Sequence, residues 1–101
     1  MVVYNLTIKL HSNIEKQWLQ WLQEEHVPEI LATGCFKENK IFQLLEHNED
    51  DEATYVVQYF AESMDDYNCY ISLHAAVFRK KSLEKWGDKF IAFRTVMQTV
   101  H

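Results

Sequence analysis

A histidine that precedes a proline is the first candidate for chemistry in this sequence. His26 directly follows Glu24 and Glu25, and Pro28 stands two residues after it. A neighbouring carboxylate can raise the pKa of an imidazole and let it exchange protons near neutral pH. His26 is therefore a candidate catalytic base. The alternative is a structural histidine that bonds helix carbonyls left without a partner, because Pro28 has no N–H.

Four polar side chains stand in otherwise apolar predicted strands. The guanidinium of Arg94 could hold an anionic ligand, and three amides could fix the ligand's orientation. Strand alternation leads us to expect all four on the sheet face away from the helices. They would then either line a pocket or form hydrogen bonds and an ion pair between two copies of the chain. The four residues are Asn5, Gln43, Gln58 and Arg94.

Aromatic side chains could supply the apolar part of a binding site. Trp21, with Trp18 and Trp86, could form the wall of a ligand pocket, although tryptophans are also common core and interface anchors. Cys35 and Cys69 have neither paired nor metal-ligand spacing, which indicates buried free thiols in a reducing compartment.

Several kinds of site have no signature in the chain. The five histidines lack metal-ligand spacing such as H-x-x-x-H, and neither a nucleophile elbow nor a glycine-rich phosphate loop occurs. We therefore expect no metal and no cofactor.

The composition is that of one globular domain. A chain of 101 residues with 48% hydrophobic and 25% charged residues has room for one core, so residues 1–101 are predicted to form a single domain. The net charge of −5 argues against nucleic acid binding, despite a basic cluster in residues 79–89. The first residues resemble neither a signal peptide nor a membrane span. We expect a cytoplasmic protein without nucleic acid or membrane partners.

Periodicity and capping residues predict two helices. Ser12 or Asn13 can cap the first helix, which should kink or break near His26 because of the following proline. Ser63 can cap the second, whose apolar face includes His74. We expect His74 to be a hydrogen-bonded core residue.

Alternating segments predict four strands, and they complete the order β-α-β-β-α-β. Right-handed crossovers then give an α+β, ferredoxin-like fold with a four-stranded antiparallel sheet and both helices on one face. The other face is a mixture of apolar and polar residues, which a second copy could cover, so we expect a homodimer. The predicted strands are residues 2–10, 36–45, 54–60 and 90–100, with an acidic hairpin tip at 46–52.

Three segments carry a resemblance to a known family. They are WLQWLQEEHVPEILATGCF, TYVVQYFAESMDDYNCYISLHA and KWGDKFIAFRTVM. The chain resembles, over essentially its whole length, a small bacterial family of unknown function within the dimeric α/β-barrel superfamily. That resemblance implies the ferredoxin-like fold and a dimer. The superfamily includes cofactor-free oxygenases of polyketide quinones, haem-degrading proteins, muconolactone isomerases, peroxidases and ligand-binding regulatory domains, so the resemblance does not choose a reaction.

Three functional hypotheses follow from these observations. The first is a homodimer that binds a small anionic or aromatic ligand at the sheet face. The second is a cofactor-independent oxygenase or isomerase that uses His26 as its base. The third is a structural dimer whose interior is filled by side chains. An empty pocket ringed by His26, Asn5 and Arg94 would favour the first two, and a filled interior would favour the third.

Overall fold

The computed structural model describes residues 1–46 and 51–100, and its elements follow the predicted order. Residues 47–50 of the predicted acidic hairpin lie outside the described residues. The chain is an α+β protein of the ferredoxin-like class, as predicted. Its elements are β1 (Val2–His11), a 3-10 turn (Ser12–Ile14), α1 (Glu15–Trp21), a π-helical turn (Leu22–His26), α2 (Val27–Leu31), β2 (Glu38–Gln43), β3 (Glu52–Ala61), α3 (Met64–Leu73), α4 (Ala75–Trp86) and β4 (Phe90–Gln98).

The four strands form one antiparallel sheet in the order β2-β3-β1-β4. β1 is central because both of its neighbours bond to it along nearly its full length, with Tyr4 opposite Tyr59 on β3 and Val96 on β4. The core lies between one face of this sheet and the helices. Its most deeply buried side chains include Leu10 and Val57.

The first helical segment runs continuously through the proline instead of breaking. Ile14, Trp18 and Leu22 are buried and lie four residues apart, which is one helical stripe. At the π-helical turn the N–H of Val27 bonds to the carbonyl of Leu22, five residues earlier. The wider turn adds a residue before Pro28, so the proline needs no break in the helix. Both His26 and Val27 thereby turn toward the interior.

The sheet faces differ from the prediction for two of the four polar strand residues. By register, Asn5 lies opposite Gln58 on the face away from the helices, here called the open face. Arg94 is opposite Leu6, and Gln43 is opposite Tyr55, both on the helix face. The expectation that Gln43 and Arg94 lie on the open face is therefore wrong.

The reason for this error is that β2 and β4 carry apolar residues on both faces. Phe42, Ile91 and Phe93 project from the open face, where they are half exposed or more. Alternation tells which residues share a face, but it does not tell which face the helices cover when both are apolar.

His74 is not the hydrogen-bonded core residue that was predicted. It separates α3 from α4, with φ −127° and ψ −33°, and its side chain is only half buried. Among the described residues its ring contacts Tyr70, with centroids 6.2 Å apart, and forms no hydrogen bond. The interruption directs the next residue, Ala75, into the core instead.

The two cysteines differ in their surroundings. Cys35 is buried as predicted, whereas Cys69 is exposed on α3, so the prediction of two buried thiols is half wrong. A hydrogen bond with Cys35 raises the pKa of the Cys69 thiol. Among the described helices, none is both long and apolar enough to cross a membrane.

The burial pattern predicts how the sheet responds to truncation. Leu10 is 1% exposed near the end of β1, so Leu10→Ala should lower the free energy of unfolding by about 2–5 kcal/mol through lost transfer energy and a residual cavity. Leu73 is 68% exposed, and Leu73→Ala should change the free energy of unfolding by less than about 0.5 kcal/mol. Urea denaturation of both variants tests this, and equal effects would contradict the assigned core.

Candidate functional site

A cavity opens between the helix face of the sheet and the two helical segments. The enclosed inner part has a volume of about 50 Å³, and the empty space between the walls is about 580 Å³ when the open mouth is included. That inner part has room for roughly three to five water molecules. Its walls come from β1, β3, β4 and both helical segments. The lining is Tyr4, Leu6, Ile8, Trp18, Trp21, Leu22, His26, Ile30, Val57, Tyr59, Tyr70, Phe78, Arg79, Ser82, Phe90, Ala92 and Arg94.

His26 stands on the wall of this cavity within an aromatic environment. Its ring stacks on Trp21 with centroids 4.3 Å apart and planes 24° apart, and it meets the ring of Phe78 edge-on at 5.8 Å. Its Nε2 lies 3.5 Å from the Oγ of Ser82 on α4. The π-helical turn of the first segment and the facing surface of α4 together fix this position.

Burial makes His26 a neutral base. It lowers the pKa of the imidazole from 6.5 to about 4, because the protonated ring would lose its hydration. The charge of Glu29 acts in the opposite direction and that of Lys81 in the same direction, and these two residues pair with each other at 2.7 Å.

The hypothesis that neighbouring carboxylates raise the pKa of His26 is therefore wrong. Glu24 and Glu25 are exposed on the outer side of the helical segment. The alternative hypothesis, a bond from the ring to helix carbonyls freed by Pro28, has no support among the described hydrogen bonds, since the ring's polar contact is with Ser82.

Polar groups approach the same cavity from the sheet. Arg94 of β4 lines it, and Arg79 of α4 donates from Nη2 to the hydroxyl of Tyr4 at 3.3 Å. Burial raises the pKa of Tyr59 and of Tyr70, so both phenols remain protonated near neutral pH. These phenols can donate hydrogen bonds without carrying a negative charge.

The structure brings together three of the six predicted site residues. His26, Trp21 and Arg94 line the cavity. Asn5 and Gln58 do not: they lie on the open face, where the amide of Gln58 donates to Asn5 at 3.2 Å. Gln43 lies at a distance from the cavity on β2, where it donates to Glu15 at 3.4 Å.

Several lining residues were missed in the sequence, above all those on the second helical segment. Phe78 and Ser82 are four residues apart, and Arg79 and Ser82 are three apart, so they share one side of α4. That spacing was the available signal. The sequence alone did not show that this side of α4 faces β1 and β4.

The neutral state of His26 predicts a pH-dependent stability. Between pH 6.5 and about 4 the unfolded chain takes up a proton at His26 that the folded chain does not. The free energy of unfolding should therefore decrease as the pH is lowered across this window. His26 should contribute up to about 3 kcal/mol to this decrease. Urea denaturation at pH 7 and pH 4 should show a smaller loss for His26→Gln than for the wild type. His11→Gln, at an exposed histidine, should behave as wild type, and equal losses in all three would contradict the buried neutral ring.

In the part of the chain that the structure describes, no cluster of three or more histidine, cysteine, aspartate or glutamate side chains could hold a metal ion.

Solved structures with the same fold were found at low sequence identity. A dimeric ferredoxin-like protein from an uncultured marine organism is 18% identical, with TM-score 0.69 over 100% of this chain and 96% of that one. A protein of the ethyl tert-butyl ether D (EthD) family from Bacillus halodurans is 9% identical, with TM-score 0.68 over 99% and 100%. SnoaB from Streptomyces nogalater, a cofactor-independent oxygenase, is 7% identical, with TM-score 0.61 over 99% and 94%. These likenesses show the fold.

Comparison of the sequence with protein families identifies the family. No curated protein matches the chain. The model of one family, described as domain of unknown function DUF4286, matches residues 1–100. This match confirms the predicted resemblance to a family of unknown function, and the chain belongs to the DUF4286 family.

Proposed function

We propose that this protein is a homodimer that binds a small molecule in the cavity between the helices and the sheet. The observation that carries the proposal is an open, largely apolar cavity on which polar groups from three elements converge: His26, Arg79 and Arg94. Ligand sites have this character, with apolar walls and a few placed polar groups. A purely structural dimer would be expected to fill such a space. The proposed site lies on the helix face of the sheet, not on the open face that the sequence suggested.

The open face supports the dimer. Phe42, Ile91, Phe93 and Met97 project from it and are 50%, 57%, 60% and 41% exposed. Monomeric proteins rarely leave several large apolar side chains on one sheet face uncovered. At its centre Asn5 is nearly buried and donates to the Oγ1 of Thr95 at 3.2 Å. This polar centre is already satisfied within the chain, so a second copy can cover it at little cost in desolvation.

The likeness to a dimeric ferredoxin-like protein points the same way. If a second copy covers the open face, the helix face and its cavity remain free on each subunit. A specific interface of this type should bury roughly 1,000 Å² or more in total. Dimerisation and ligand binding then use opposite faces of one sheet.

Native mass spectrometry of protein purified from its own host tests both parts of the proposal. We expect a mass of twice 12.1 kDa with additional mass from a retained small molecule. Ala92→Leu should fill the cavity and remove the additional mass while the dimer persists. Ala76→Leu makes the same change at an exposed site on α4 and should retain it. A monomer would contradict the dimer, and retention by Ala92→Leu would contradict this binding site.

A cofactor-independent oxygenase or isomerase that uses His26 as base is the second candidate. The observation in its favour is a neutral imidazole on the cavity wall, since a neutral ring can accept a proton from a bound ligand. The positive charge of Arg94 would stabilise the anion formed by that transfer. The fold likeness to SnoaB, itself described as a cofactor-independent oxygenase, is consistent with such chemistry.

A probe of proton abstraction tests this candidate. 5-Nitrobenzisoxazole releases a coloured phenolate when a base removes its ring proton and the N–O bond breaks. We expect a rate above buffer that falls as pH decreases through about 4, where His26 becomes protonated. His26→Gln should lower the rate at least about tenfold, because a positioned base contributes roughly 10²–10⁴-fold. His11→Gln should leave the rate unchanged, and equal rates for both variants would exclude His26 as the base.

A further inference from the structure

The arginines of this chain have an uneven distribution. Lysine and arginine together number ten, and only two of them, Arg79 and Arg94, are arginines. Both line the cavity, one from α4 and the other from β4, whereas none of the eight lysines does. Arginine differs from lysine in presenting a planar fork of donors that matches the two oxygens of a carboxylate.

Among the described residues, neither arginine forms an ion pair with an acidic side chain. The ion pairs described in the structure all use lysines, and they are Lys9–Glu52, Lys37–Glu62, Lys80–Glu84 and Lys81–Glu29. The cavity lining contains no aspartate or glutamate among the described residues. Two positive charges therefore line a largely apolar space without a counter-ion from the part of the chain that the structure describes. Water can solvate them at the mouth, where both residues are exposed, and an anion can replace that water.

The two guanidinium groups lie near the same pair of tyrosines. Arg79 bonds to the hydroxyl of Tyr4, and the phenol of Tyr70 feels the positive charges of both Arg79 and Arg94. Tyr4 and Tyr70 pack against each other with ring centroids 5.7 Å apart. The protonated phenol of Tyr70 and the two guanidinium groups give the site several hydrogen-bond donors, with no carboxylate among its described lining residues.

The remaining wall is aromatic and uncharged. On the helix side of the cavity the neutral ring of His26 contacts both Trp21 and Phe78. A flat ring can pack against such a wall, since aromatic side chains favour stacked and edge-on contacts. The inner space of about 50 Å³ favours a ligand of small size.

We propose, on the basis of the ligand-binding function proposed above, that the ligand is a small aromatic carboxylate whose carboxylate is held by Arg79, Arg94 and Tyr70. The ring of the ligand lies toward Trp21 and Phe78.

Benzoate and benzamide are the matched probes, because they share one ring and differ in charge. Isothermal titration at constant ionic strength should give binding of benzoate at least tenfold tighter than binding of benzamide. Arg94→Met and Arg79→Met should each weaken benzoate binding at least tenfold, and Arg94→Lys should weaken it less, since it keeps the charge and loses the fork. Lys80→Met removes the same charge from a neighbouring exposed position on α4 and should have no effect. Urea midpoints of the variants establish that they fold.

The outcomes separate this inference from the proposed function. Benzamide binding as tight as benzoate binding, abolished by Ala92→Leu, would overturn the carboxylate inference while the cavity remains a ligand site. Inorganic phosphate binding more tightly than benzoate would overturn the aromatic part. Unchanged benzoate binding in Arg94→Met and Arg79→Met would place the carboxylate elsewhere. Failure of both aromatic probes, with a ligand retained in native mass spectrometry, would overturn only the inference about ligand class.

Discussion

The aromatic packing around Tyr4 is the interaction on which both the fold and the site depend. Tyr4 lies on the central strand, is 3% exposed, and its ring contacts those of Phe36, Tyr59 and Tyr70. These rings join the strand to the loop before β2, to β3 and to α3. Its hydroxyl accepts a hydrogen bond from Arg79 at the cavity. The ring of Tyr4 therefore packs in the core, while its hydroxyl holds the guanidinium of Arg79 at the cavity. The position of Arg79 thus depends on core packing.

The desolvation of His26 illustrates how stability and chemistry are linked in this cavity. A ring stacked on Trp21 and facing Phe78 loses hydration, so the protein holds it neutral well below the pH at which a free imidazole would be protonated. The same burial that supplies a proton acceptor at neutral pH makes the fold sensitive to acid. The π-helical turn gives this ring its inward position, and such turns are frequent at functional sites.

The two faces of the sheet are apolar for different reasons. On the helix face the apolar residues belong to the core and to the cavity walls, and the charged exception is Arg94 at the cavity. On the open face large side chains such as Phe93 surround a hydrogen-bonded polar centre at Asn5. A division of this kind lets one sheet carry a ligand site and a subunit interface without competition between them, as we propose for this protein.

The amino-acid sequence by itself determined the order of elements and the antiparallel sheet, because period-two and helical spacing are local properties of the chain. The family followed from the resemblance of the sequence to that family, whose model matches residues 1–100. The sequence also singled out His26, Trp21 and Arg94 as candidate site residues, and all three line the cavity. Only the tertiary structure decided which face of β4 meets the helices. It also decided that Arg79 lines the same cavity as Arg94. It likewise decided the pKa of His26, where burial against Trp21 and Phe78 outweighs nearby carboxylates. These properties arise from contacts between distant segments, and helix rotation and desolvation are set by packing that no local pattern encodes.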